Sequence, residues 1–271
     1  KPLIALRIEV PGYPAALATP ALAALLRRHG AGASFAFALG PDWLGRRPGR
    51  NGAALLREVR DAGFEVGVHG WNVRHWTKHA EQATAAWSET QLRQAIEAFE
   101  EVFATPPQLH AAPGWRSNPH ALRLTQRLGF AYASDMRGRH PFIPVWHGEI
   151  VRCPQIPTTL PTFAELATTA RPDPDELAGA VLALSGNAPP AGHVFSLRAA
   201  ADGGGHPQAF EKLLAGWREQ GCEVTSIQAL ADRLRMDKLP RHEVVIGTVP
   251  GHDGTLLLQG NEFLSAWRDP A

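Results

Sequence analysis

The chain has 271 residues, 44% of them hydrophobic, enough apolar material for one large core and with nothing that asks for a second. With 27 basic against 26 acidic residues the net charge is +1, which gives no general electrostatic pull toward nucleic acid or an anionic membrane surface. The two cysteines, Cys153 and Cys222, exclude a disulfide framework and a cysteine-based zinc cluster, and they fit a reducing, cytoplasmic setting. No apolar run approaches the roughly 20 residues that span a bilayer. Lys1–Arg7 reads as a strand and not as a signal peptide, with a leader removed before it left open.

Apolar strand-like runs alternate with amphipathic helical patterns, as in βα units on a parallel sheet. Leu3–Val10 is the first strand. Thr19-Pro20 opens a helix to His29, with the threonine as N-cap. Ala33–Leu39 is a strand, Ala53–Ala62 a helix stopped by Gly63, and Phe64–His69 a third strand. Ser88-Glu-Thr-Gln91 reads as a capping box for a helix to about Phe103. Leu109–Ala112 is a strand and Asn118–Leu128 a helix. Phe130–Ser134, Ile150–Cys153, His193–Leu197 and Glu223–Thr225 supply further strands, and Gln208–Gln220 and Ile227–Leu234 the closing helices. Asp202-Gly-Gly-Gly205 reads as a flexible loop. The order predicts an irregular (β/α) barrel of roughly seven or eight units over residues 1–240. Residues 241–271 form a tail whose stretch from Glu243 to Phe263 reads as a hairpin turning at Gly251–Gly254 and packed on the barrel.

In such a barrel chemistry sits where strands end. The first strand ends in Arg7-Ile-Glu-Val-Pro11. The third ends in His69-Gly-Trp71, followed by His75-Trp76. The fourth leads into Gly114-Trp-Arg116, the fifth into Ser134-Asp-Met-Arg137, a later one into Gln155-Ile-Pro-Thr158, and the seventh carries Ser196-Leu-Arg198.

These segments, in this order, resemble the polysaccharide deacetylases (carbohydrate esterase family 4), and in particular the subgroup that deformylates undecaprenyl-phosphate-linked formamido-arabinose. The matching words are Leu6-Arg-Ile-Glu-Val10, Leu39-Gly-Pro-Asp42 with Gly45-Arg46, Val66-Gly-Val-His-Gly-Trp71, Gly114-Trp-Arg116, Ser134-Asp-Met-Arg-Gly138, Gln155-Ile-Pro-Thr-Thr-Leu-Pro-Thr162 and Val249-Pro-Gly-His-Asp-Gly254. They run through nearly the whole chain. The resemblance implies a deacetylase-type barrel and a reaction in which one Asp and two His hold a divalent metal. A second Asp then acts as base and a late His as acid.

The pattern breaks at those positions. The base position is Glu9, and the metal-binding Asp position is Pro11, which has no donor atom. His69 stands at the first metal-His position, but the second is Val73, and His75 two residues on would point elsewhere. The acid position is Arg198, which cannot shuttle a proton at neutral pH. His69 is thus the only surviving ligand position, and no metal or other cofactor is expected. The subgroup's long, partly hydrophobic insertion after Gly45-Arg46 is replaced by Arg47-Pro-Gly-Arg-Asn-Gly52, which weakens any docking to a lipid surface.

Glu9 and Arg198 are the altered catalytic positions; Glu9 also reads as a buried strand-end carboxylate paired with Arg7 or Arg198, and a Glu9–Arg198 ion pair is expected. Trp71, Trp115, Arg116, Asp135, Arg137 and Gln155 are candidate substrate-binding residues, with Trp76 beside them. Each also has a structural reading: the indoles as core filling, Asp135 with Arg137 or Arg116 as an ion pair that orients a loop, and His75 and His79 as solvated residues. Three functions stay open. They are a non-hydrolytic binding or regulatory protein, a metal-independent C–N hydrolase using Glu9, Arg116 and Arg198, and a deacetylase or deformylase with displaced ligands such as His75 or His110. A sugar-like or small-molecule ligand fits all three, and a protein partner or a second copy of the chain is left open.

Overall fold

The computed structural model describes residues 1–167 and 172–264; the last seven residues of the tail lie outside them. Six parallel strands form a curled sheet: β1 (Leu3–Val10), β2 (Ser34–Phe37), β3 (Glu65–Val68), β4 (Leu109–His110), β5 (Tyr132–Ala133) and β8 (His193–Arg198), the last reached after β6 (Ile143–Trp146) and β7 (Glu149–Ile150). Their order is β5-β4-β3-β2-β1-β8, and β9 (Glu223–Thr225) also pairs with the start of β1. The gap between β5 and β8 is spanned by the extended segment 154–160. There Ile156 N–H donates to Ala133 O at 2.7 Å and Thr159 N–H donates to Val194 O at 3.0 Å. The result is the irregular (β/α) barrel of the deacetylase type, with a stretch of coil where a regular barrel has a strand.

Strand β1 shows how the alternation of side chains builds the barrel. Ile4, Leu6, Ile8 and Val10 face the helix layer and join the main core. Leu3 and Ala5 face inward and plug the lower barrel with Leu109, Tyr132, Ile156, Val194 and Ile227. Arg7 and Glu9 continue that inward row upward, so the barrel is apolar at its base and charged toward the strand ends.

Below Arg7 lies a second polar knot. The Glu65 carboxylate accepts from Tyr132 Oη at 2.6 Å, from the Ser34 hydroxyl, and from Gln228 N–H at 2.9 Å, while Ile227 N–H donates to Ser34 Oγ at 2.7 Å. These bonds lash the start of the helix Ile227–Ala231 across the barrel floor.

The tail returns as β10 (Arg241–Gly247) and β11 (Leu256–Glu262), an antiparallel pair in a second sheet of order β11-β10-β6-β7. Arg137 stitches that sheet to the barrel, donating N–H to Leu257 O and accepting from Gln259 N–H, both at 2.9 Å. Several expectations need correction here. The strand at Ile150–Cys153 shrinks to Glu149–Ile150 and belongs to this second sheet, because a two-residue turn folds it back on β6. The capping residue of the long helix Ala85–Phe103 is Thr84, whose hydroxyl accepts from Trp87 N–H; Ser88 lies inside and donates back to Thr84 O. Thr19 is the first helical residue, after Ala18 as N-cap. Asp202–Gly204 is no loose loop but part of a single wide helical turn, Ala199–Gly204, which Gly205 caps. The helix Pro174–Ser185 was not expected; its weak amphipathicity hides it.

Replacing Ser34 by Ala removes one donor to Glu65 and the acceptor for Ile227 N–H. Leaving those groups buried without partners is expected to lower the unfolding free energy by about 1–3 kcal/mol, measured by denaturant titration.

Candidate functional site

Arg7 is fully buried, and a buried guanidinium has to be satisfied on several sides. It donates to the Glu9 carboxylate two residues along on the same inward row, to Ser196 Oγ on β8 at 2.9 Å, and to Ala112 O beyond β4 at 2.9 Å. Ser196 donates in turn to Glu9 at 3.2 Å. Burial alone would raise the Glu9 carboxyl, but the charge and hydrogen bond of Arg7 outweigh it and hold Glu9 below the usual carboxylate range. Glu9 is therefore a clamped carboxylate.

Trp115 roofs this group. The guanidinium of Arg7 lies 5.1 Å, and that of Arg137 4.8 Å, from its ring centroid, and its indole N–H donates to Thr158 Oγ1 at 3.0 Å. Gly114 and Trp115 are both left-handed (φ 62° and 52°), a conformation that strains a bulky residue and that these contacts maintain. With 5% of its surface exposed, Trp115 offers the cavity an edge and no open face for stacking.

His69 donates its Nδ1–H to Ala111 O at 2.8 Å, which leaves Nε2 directed toward the second Glu9 oxygen at 3.9 Å. Burial pushes its imidazole down to about 4, so it is neutral at physiological pH. Glu9 and His69 are two donors of the kind a divalent metal takes. Pro11 and Val73 instead edge a separate hollow of about 170 Å³ with Trp71 and Asn72. His75 is exposed on the helix Val73–His79, its ring against His79 and Trp87. Among the described residues no three His, Cys, Asp or Glu side chains converge as a metal site. The residues present do not fit the metal that the resemblance implies.

Arg198 does not pair with Glu9. Although the two are register neighbours across β1 and β8, Arg198 turns to Asp202, which accepts from its backbone N–H at 2.7 Å and from its guanidinium at 3.0 Å. The reason is that both ends are already engaged: Arg7 occupies Glu9, and the turn Ala199–Gly204 carries Asp202 back under Arg198. Glu9, Arg198 and Trp115 nevertheless share one cavity of about 290 Å³ at the strand ends, with Thr162, Glu165, Ser196, Asp202 and the hairpin tip Gly251–Asp253.

The other candidates take supporting positions. Asp135 is buried and accepts from His110 Nδ1 and Ala112 N–H, both at 2.8 Å, so its partner is His110 and neither Arg116 nor Arg137. Gln155 is buried and accepts from Asp135 N–H at 3.0 Å. Both sit behind the 110–112 turn that receives Arg7. Arg137 pairs with the Glu165 carboxylate at 2.5 Å. Arg116 donates to Thr77 O, Asp253 O and Thr255 O, all within 3.0 Å, and so pins the hairpin tip over the barrel. Trp71 is half-buried under Arg47 at the separate hollow, and Trp76 is fully buried with its N–H on Arg116 O. Glu165 and His252 were not singled out from the sequence; the word Thr162-x-x-Glu165, a capping box, was the available signal for Glu165.

The curled sheet and its strand-end cavity give the fold class, an irregular (β/α) barrel of the deacetylase type. The family model for polysaccharide deacetylase matches residues 11–133. A chain from Shewanella sediminis, assigned as the 4-deoxy-4-formamido-L-arabinose-phosphoundecaprenol deformylase ArnD, is 28% identical over 95% of each chain. One of the same assignment from Wigglesworthia glossinidia brevipalpis is 26% identical over 78% of this chain and 74% of its own. Among solved structures, a Mycobacterium smegmatis protein assigned to the polysaccharide deacetylases superposes with a TM-score of 0.67 at 18% identity, over 92% of this chain and 96% of its own. A CE4 family pseudoenzyme from Bacillus anthracis gives 0.60 at 17%, over 90% and 69%. The chain thus resembles the polysaccharide deacetylases over residues 11–133 and is similar to ArnD-type deformylases over most of its length.

The depressed imidazole of His69 makes a pH prediction with a definite sign. Its contribution to stability is complete above the unfolded value near 6.5 and is lost as pH falls through about 4, an effect of about 3 kcal/mol at most. His193 and His242, also lowered by burial, add to the same slope. Denaturant unfolding between pH 7 and 4 is expected to show a shallower loss in His69→Gln than in the natural protein.

Proposed function

We propose that the chain binds a formamido- or acetamido-sugar-like ligand in the cavity beside Glu9 and does not hydrolyse it by metal-dependent chemistry. The observation that carries this reading is the clamped Glu9. Its carboxylate is held by Arg7 and Ser196, and among the described residues no third ligand-type side chain joins Glu9 and His69. A carboxylate so held has a depressed proton affinity and little tendency to abstract a proton. The ligand class is supported by the relatives, whose names specify a 4-deoxy-4-formamido-L-arabinose-phosphoundecaprenol. The cavity is compatible with it, combining hydroxyls of Thr162 and Ser196, the half-exposed Arg198 guanidinium and the Trp115 edge. A cytoplasmic setting belongs to the same proposal and rests on the unpaired thiols Cys153 and Cys222.

A second reading, metal-independent C–N hydrolysis, is favoured by one feature, a histidine of the hairpin tip that lines the cavity with a carboxylate behind it. The two readings share the ligand class and differ in turnover.

Calorimetric titration with N-formylglucosamine and N-acetylglucosamine in the presence of a chelator is the test. Binding is expected to be unaffected by the chelator, and Arg198→Ala is expected to weaken it about tenfold through loss of a charged hydrogen bond. Release of free amine that appears on adding zinc or cobalt and stops with the chelator would overturn the proposal.

A further inference from the structure

We infer that His252 is the proton-transfer residue of this cavity, presented by the hairpin tip and oriented by Glu165. The inference rests on the ligand site proposed above, read with metal-independent turnover, and assigns that site a function which position 198 cannot perform, since an arginine there does not release its proton.

The orientation comes from a chain of three side chains. Arg137 pairs with Glu165, Glu165 also accepts from Thr162 N–H at 2.9 Å, and His252 Nδ1 lies 3.3 Å from the same Glu165 oxygen that Arg137 holds. The Glu165 side chain is 2% exposed. Burial would raise its carboxyl, but His252, Arg137 and Thr162 hold it low, so it is an acceptor and Nδ1 carries the hydrogen. Nε2 then has no hydrogen-bond partner among the described residues, and the imidazole lines the cavity with Glu9. A carboxylate on one ring nitrogen and a free lone pair on the other is the arrangement that prepares an imidazole to take up and return a proton.

The tip that carries His252 is held firmly. Arg116 spends its guanidinium on three carbonyls, two of them in the tip, and the His252 ring meets the Trp115 ring edge-on at 5.7 Å. Gly251 has φ 77°, and a Cβ there would lie 2.0 Å from Glu165 O, so this close approach admits only glycine. The charged groups around the imidazole are Glu165 with Arg137, Glu9 with Arg7, Asp202 with Arg198, and Asp253 beside Arg116. Three of the carboxylates are matched by guanidinium groups, and Nε2 of His252 has no hydrogen-bond partner among the described residues.

With an amide in the cavity, Nε2 takes a proton from water as the C–O bond forms. It returns that proton to nitrogen as the C–N bond breaks. Amide and water give acid and amine, and His252 ends as it began.

Two measurements test the inference. In the free protein, imidazole ¹⁵N shifts are expected to show the Nδ1–H form of His252, and Glu165→Gln is expected to abolish that preference. A dominant Nε2–H form would overturn the inference. Calorimetry with N-formylglucosamine in buffers of different ionisation enthalpy is expected to reveal proton exchange on binding. That exchange is expected to vanish in His252→Gln and to persist in His75→Gln, whose imidazole is exposed elsewhere. Binding with proton exchange that survives His252→Gln would overturn this inference alone. Failure of the natural protein to bind the probe would overturn the ligand site and the inference together.

Discussion

The guanidinium of Arg7 is the interaction on which the upper barrel depends. It is fully buried, and its partners come from three places: Glu9 on its own strand, Ser196 on β8, and Ala112 O beyond β4. A charge in that position cannot be left unpaired without a penalty of several kcal/mol, so these elements are committed to one geometry. Trp115 covers Arg7, Arg137 also lies over Trp115, and Arg137 requires Glu165. Two buried cations around one indole thus recruit two carboxylates, and both line the cavity.

That arrangement explains how a deacetylase barrel keeps its mouth without the family's donor set. A divalent ion in such a site is the largest local charge and dictates the protonation of its surroundings. Here Arg7 is the cation facing Glu9, and His69 lies behind Glu9, buried and neutral. Pro11 and Val73 lie on the far side of the strand end, at a separate hollow, so neither has a place in the Arg7 network. The Asp135–His110 pair and Gln155 also shape the turn whose carbonyls at Ala111 and Ala112 receive His69 and Arg7.

Much of the barrel was legible from local pattern. The inward row of β1, the strand-end words and the hairpin tail follow from alternation and turn residues that act over a few positions. The missed features depend on contacts distant in sequence or on competition between partners. Arg198 was expected on Glu9 because the two face each other in register, but Arg7 from the same strand and Asp202 four residues on are nearer claimants. The closing segment 154–160 lacks strand alternation and takes its place only because β5 and β8 both offer it free backbone groups. Glu165 and His252 lie 87 residues apart, and only the return of the tail over the barrel brings them together.

The central claim is that this mouth is built around Arg7 and not around a metal. Metal content measured by mass spectrometry on the natural protein, after equilibration with zinc and removal of unbound ion, tests it most directly. The account predicts no stoichiometric zinc and the same result for His69→Gln. One equivalent retained by the natural protein and lost in His69→Gln would contradict it.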